Sequence, residues 1–62
     1  MHKYKVTVIG IAMVDWQSLT TELFGGATTA FAEFGGQTGE FHFEQEPTLT
    51  DLGRLIKVEK VG

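Results

Sequence analysis

The sequence predicts an α+β domain of the order β-α-β-β, in which a three-stranded, mainly antiparallel sheet carries one long amphipathic helix on one face. Apolar and polar residues alternate in the first and last thirds of the chain, which is the period of a half-buried strand. In the middle third, apolar residues recur at the spacing of one helix face. With 62 residues, the chain is predicted to form a single domain, residues 1–62.

The first strand is predicted over residues 3–14, which are rich in β-branched and aromatic residues. Tyr4 and Val6 fall on one face and Lys5 on the other, whereas from Val8 onward both faces are apolar. A strand that is apolar on both faces is normally covered on both sides. One helix covers only one side, so the pattern predicts a dimer or a higher homo-oligomer.

Residues 16–34 favour a helix, because eight apolar side chains fall within one arc of about 140° at 100° per residue. Asp15 is a suitable N-cap and Gly35 a suitable glycine after the C-terminus. The residues of the apolar arc are Trp16, Leu19, Leu23, Phe24, Ala27, Ala30, Phe31 and Phe34.

The same segment also supports a β interpretation. It contains four threonines and the pair Gly25-Gly26, which are poor helix formers. The run Phe-Gly-Gly-x-Thr at residues 24–28 is repeated at 34–38, as expected of a meander that turns at each glycine pair. A small all-β meander or barrel is therefore the alternative fold. The helix is favoured because burial of its apolar face can offset about 1 kcal/mol per interior glycine.

Two half-buried strands complete the predicted sheet. Residues 39–46 alternate phenylalanine with polar residues, and Pro47 ends the run. Residues 54–61 alternate in the same way, with Ile56 and Val58 on one face. A hairpin-type connection is expected to join these two strands.

Charge, the length of apolar runs and the absence of cysteine exclude several classes of protein. The net charge is −3, the five basic residues lie near the ends, and no Lys or Arg lies between Asp15 and Asp51. Nucleic-acid binding needs clustered cations, so it is not expected. No run approaches the roughly 18–20 apolar residues of a membrane span. The chain has no cysteine, which excludes disulfides and thiolate metal sites. The expected location is the cytoplasm.

One row of polar residues suggests metal or proton chemistry. Glu40, His42, Glu44 and Glu46 follow one face of the strand predicted at residues 39–46. Carboxylates and imidazole are ligands for zinc, manganese or calcium, and an imidazole beside a carboxylate can act as a general base. His42, Glu40 and Glu44 are therefore the metal-binding candidates. A solvated outer face is the more common use of such a row, and its spacing matches no specific metal motif.

The aromatic residues Trp16, Phe41 and Phe43 are candidates for stacking on a flat, flavin-like ligand between subunits, although core packing is their more common use. The predicted order and small size are similar in outline to the dodecins, a family of small flavin-storing assemblies. That resemblance covers topology only. The stacking tryptophan of a dodecin lies on the strand after the helix, where this chain has Phe41 and Phe43, so no functional residue carries over.

No catalytic set of residues is recognisable, so the sequence predicts a non-enzymatic, oligomeric protein-interaction module of the inhibitor or adaptor type. Its acidic face would contact a basic partner protein, and no cofactor is predicted. The alternatives are a ligand-binding or storage assembly with an aromatic pocket between subunits, and a metal-binding protein that uses His42 and neighbouring glutamates. The residues predicted to contact the basic partner are Glu40, Glu44, Glu46, Glu22 and Glu33.

Overall fold

A computed structural model describes residues 1–10 and 13–62. The four strands form one antiparallel sheet in the order β2-β3-β1-β4. The one helix among these residues packs on one face of the sheet, which we call the inner face; the opposite face is the outer face. The elements, in chain order, are β1 (His2–Val8), α1 (Trp16–Leu23), β2 (Phe31–Gly35), β3 (Thr38–Phe43) and β4 (Ile56–Lys60).

The predicted three-stranded sheet with one long helix is wrong. The helix has eight residues and ends at Leu23, and helix accounts for 13% of the chain. The second half of the segment predicted as helical forms β2, the fourth strand of the sheet. The fold is closer to the small, mostly-β alternative, although it keeps the first two turns of the helix. The dodecin-like order of elements is absent for the same reason.

The helix ends early because of the glycine pair that follows it. Gly25 and Gly26 have φ angles of 63° and 78°, a left-handed conformation that glycine adopts without steric cost and that cannot continue a right-handed helix. The Gly26 amide donates to the carbonyl of Thr21, 3.1 Å away, and closes the last turn. Phe31 and Phe34, three residues apart, share a helix face but lie on opposite faces of a strand.

The first strand is shorter than predicted. Tyr4, Val6 and Val8 on its inner face are buried, whereas Lys3 and Lys5 on its outer face are exposed. The apolar continuation after Val8 does not belong to β1, and residues 11 and 12 of that prediction lie outside the described part of the chain. β1 is therefore not apolar on both faces, so the pattern that suggested cover by a second copy is absent from this strand. The homo-oligomer itself stays a prediction.

The two later strands are present as β3 and β4, but they are not neighbours. β1 lies between them, paired antiparallel with both, so the connection from β3 to β4 is not the hairpin that was predicted. Val58 of β4 lies opposite Val6 of β1 and Ile56 opposite Val8, which brings apolar residues of β4 onto the inner face.

The core is a single aromatic layer between α1 and the sheet. Phe24 lies at its centre, with its ring centroid 4.7 Å from that of Phe43 and 5.5 Å from that of Phe41. Gly39 of β3 leaves room for the rings above it. A Cβ atom at this position would lie 2.8 Å from Cε2 of Phe41 and 3.0 Å from Cζ3 of Trp16. The buried hydrophobic residues are Tyr4, Val6, Val8, Trp16, Leu23, Phe24, Phe41 and Phe43.

Replacement of the buried Phe43 should strongly destabilise the fold. Its side chain is 0% exposed, and Phe43→Ala should cost about 3–5 kcal/mol because a cavity replaces its ring contacts. That is a large share of the roughly 3–9 kcal/mol expected for a chain of this length. Phe31→Ala is the control, because Phe31 lies on the outer face and is 44% exposed. Urea unfolding measures the stability of both variants. If Phe43→Ala and Phe31→Ala lost equal unfolding free energy, this description of the core would be contradicted.

Candidate functional site

The polar row predicted on β3 is interrupted in the structure. β3 ends at Phe43, so only Glu40 and His42 share its outer face. Nε2 of His42 lies 3.2 Å from Oε2 of Glu40, but the contact does not have hydrogen-bond geometry, and Nε2 is buried without a hydrogen-bond partner. The His42 ring packs on that of Phe31, with centroids 4.7 Å apart.

This pair does not make a metal centre by itself. Within residues 1–10 and 13–62, no three His, Asp or Glu side chains are grouped closely enough to hold an ion. Glu44, the third candidate ligand, lies beyond the end of β3 and is exposed. The metal-binding alternative through His42 stays a prediction with two neighbouring groups in support.

Glu46 lies in a different environment from the one predicted for it. Its Oε1 accepts hydrogen bonds from Nζ of Lys60 at 3.0 Å and from the hydroxyl of Tyr4 at 3.1 Å. These two donors lower the pKa of Glu46 below its ordinary value of 4.5, with Lys60 the larger cause. Burial, and then the bond to Glu46, raises the pKa of Tyr4. Glu46 therefore links the segment after β3 to β1 through Tyr4 and to β4 through an exposed ion pair with Lys60.

The other predicted acidic residues are distributed over both sides of the sheet. Glu33 of β2 and Glu40 of β3 are direct cross-strand partners on the outer face. Glu22 belongs to α1, on the opposite side of the sheet. Glu44 lines an open cavity of about 430 Å³ together with residues 27–30, just before β2 begins. The structure thus brings Glu33 and Glu40 together and leaves Glu44 near the start of the same strand.

The aromatic ligand candidates are used mainly in the core. Trp16 is 6% exposed and Phe43 0%, so neither offers a free ring face. The indole Nε1 of Trp16 donates to the carbonyl of Gly36 at 3.1 Å, which fixes the ring against the β2–β3 turn. Phe41 is also buried, but it forms part of the floor of a groove between α1 and β2.

The β2 strand is a free edge that the sequence interpretation missed. It is the terminal strand of the sheet, and all five of its residues are exposed. The amide of Ala30 donates to the carbonyl of His42, so His42 directs its backbone groups toward β2. Because such bonds alternate along an antiparallel ladder, the backbone groups of Ala32 and Phe34 point away from β3. No described element lies beside them.

The opposite edge of the sheet is built differently. β4 carries Lys57 and Lys60 within five residues, and lysine on an edge strand opposes pairing with another chain. β2 has neither lysine nor proline, and its two phenylalanines, Phe31 and Phe34, are 44% and 52% exposed. A β-prone run of Phe-Ala-Glu-Phe between a glycine pair and a turn was the sequence signal for this edge.

A groove of about 390 Å³ runs between α1 and the inner side of this edge. Ala32 and Phe34 form its β2 wall, and Phe24 and Phe41 lie at its floor. Phe34 packs on Trp16 with ring centroids 5.7 Å apart. The helix side is lined by Gln17, Thr20 and Thr21.

Comparison with known proteins gives no relative: no family model, no curated protein and no solved structure matches this chain. In the part of the chain that the structure describes, no helix is long and apolar enough to cross a membrane. The features that bear on function are therefore those of the molecule itself, namely the β2 edge, the groove and the Glu33–Glu40 pair.

Because of the Glu46 contacts, the free energy of unfolding should decrease as the pH falls into the acid range. Because the folded pKa of Glu46 is lowered, its contribution is present at neutral pH and is lost as the pH falls below 4.5 through the folded pKa. We expect Glu46→Gln to be less stable than wild type at pH 7 and to approach it near pH 3. Urea unfolding at both pH values measures this, with Glu44→Gln as the control. If the difference in unfolding free energy between wild type and Glu46→Gln did not change with pH, this role of Glu46 would be contradicted.

Proposed function

We propose that this protein is a non-enzymatic interaction module that takes up an extended segment of a basic partner polypeptide as a fifth strand along β2. The observation that carries the proposal is the fully exposed edge strand, with the backbone groups of Ala32 and Phe34 directed outward. Addition of a strand to such an edge is a common mode of peptide recognition, in which the main-chain hydrogen bonds supply affinity.

The charge beside this edge favours a basic partner. Glu33 and Glu40 lie directly opposite each other, and like charges in that position repel. Lys5 is the cross-strand neighbour of Glu40 on its other side, whereas no described strand lies beside Glu33 on the free side of β2. A lysine or arginine of an added strand, placed opposite Glu33, would relieve the repulsion.

The same charges disfavour a second copy at this edge. If two β2 strands paired around a two-fold axis, each would bring its own Glu33 and Glu40 to the outer face of the junction. Four carboxylates would then share one patch, and β2 and β3 contain no lysine or arginine to offset them. A homo-oligomer formed through another surface stays a prediction, and native mass spectrometry tests it.

A block at the edge backbone should abolish partner binding without unfolding the protein. Ala32→Pro removes an amide that points away from β3, so the sheet keeps its own hydrogen bonds. A ten-residue peptide of alternating valine and lysine is the probe, and we expect its affinity to fall at least about tenfold, since a lost edge bond and a steric clash combine. Ala32→Ser keeps the amide and is the control. Binding is measured by the NMR shifts of the backbone amides. If both variants bound the peptide equally, that result would contradict the proposal.

The sign of the charge at position 33 should determine which peptide binds. Wild type should prefer the valine–lysine peptide to a valine–glutamate peptide by about fivefold or more at low salt, and less at high salt. Glu33→Lys should reverse this preference. Glu59→Lys is the matched control, because Glu59 lies on β4 opposite Lys5, at the far edge of the sheet. If both variants reversed the preference, net charge rather than the β2 edge would be responsible.

A further inference from the structure

We infer that the groove between α1 and β2 is a specificity subsite that accepts aliphatic side chains from the added strand. The inference rests on the proposed function and specifies the residues that alternate with the basic residues in the partner segment. The bound segment would alternate a basic residue, facing Glu33, with an aliphatic residue, facing the groove.

Strand geometry places alternate side chains of the partner over this groove. A fifth strand would run about 4.8 Å from β2, and every second side chain would point to the inner face. Ala32 and Phe34 are the inner-face residues of β2, since they lie opposite Phe41 and Gly39 of β3. Inward side chains of the partner would therefore extend the same surface and enter the groove beside them.

The two threonines on the helix side of the groove offer no free hydroxyl proton to a bound side chain. The hydroxyl of Thr20 donates to the carbonyl of Trp16 at 2.7 Å, and the hydroxyl of Thr21 donates to that of Gln17 at 3.0 Å. Both threonine protons are therefore used within the helix. A polar side chain that entered here would lose water without gaining these donors, which costs free energy.

The floor of the groove supplies the apolar contact. Phe24 and Phe41 are 2% and 1% exposed, so they form a fixed base. Phe34, at 52% exposure, packs on Trp16 and stacks on Phe41, and the exposed part of its ring is available for contact. The short side chain of Ala32 leaves open the space between this ring and the start of β2. The volume of about 390 Å³ has room for more than one aliphatic side chain.

Two peptides of equal shape and charge test the groove. One alternates valine with lysine and the other threonine with lysine, so they differ only in a methyl and a hydroxyl at the inward positions. We expect the valine peptide to bind about three- to tenfold more tightly, from burial of the inward groups. Thr21→Trp, which fills the groove, should reduce this preference to less than twofold. Thr28→Trp is the matched control, because Thr28 lines the other cavity, the one beside Glu44.

The outcomes separate this inference from the proposed function. If both peptides bound equally, and Ala32→Pro still abolished binding, the groove would have no role and the edge would remain the binding element. If neither peptide bound nor shifted the Ala32 and Phe34 amides, the edge proposal would fail as well. Native mass spectrometry of the purified protein completes the test. A small molecule retained by wild type but not by Thr21→Trp would overturn the inference, because the groove would then be a ligand site.

Discussion

Gly25 and Gly26 hold left-handed backbone angles, with φ of 63° and 78°. A residue with a Cβ atom would adopt this conformation only at a cost of roughly 1–2 kcal/mol. The pair turns the chain sharply after Phe24, so Phe24 enters the core while the next residues leave the helix axis. The chain then returns to the sheet as β2. The free edge, the groove and the Glu33–Glu40 pair all depend on this one change of direction, since a helix continued to residue 34 would leave β3 as the edge.

The short helix has a second consequence, which concerns what it can cover. Its apolar residues Trp16, Leu19 and Leu23, with Phe24, pack on the aromatic and aliphatic residues of the sheet. β2 extends past this cover, and the ring of Trp16 reaches Phe34. The groove is the space left between a helix of eight residues and a sheet of four strands. The core is thus complete on the β3 and β1 side and open on the β2 side.

Sequence patterns alone identified much of the sheet but not its edge. Periods of two gave the inner faces of β1, β3 and β4, because each strand buries one side. The segment after Trp16 was ambiguous, since Phe31 and Phe34 satisfy a helix period as well as they satisfy opposite faces of a strand. Glu33 and Glu40 were recognised as acidic, but their pairing depends on β2 being a strand. The contact of Glu46 with Lys60 was not foreseeable, because it requires β4 to lie beside β1, which no local pattern encodes.

An unprotected edge strand is ordinarily a hazard, because it can pair with any exposed strand, including that of a second copy. β4 avoids this with lysines. In the proposed function, the carboxylates of Glu33 on β2 and Glu40 on β3 would serve the same purpose in a selective way. Between two copies joined along β2, the two Glu33–Glu40 pairs would lie together, and their repulsion would oppose self-pairing. Opposite a basic strand the same two charges become attractive. In the proposed function, one cross-strand pair would therefore discourage aggregation and select the partner at once, which a lysine-guarded edge in an acidic protein would not do.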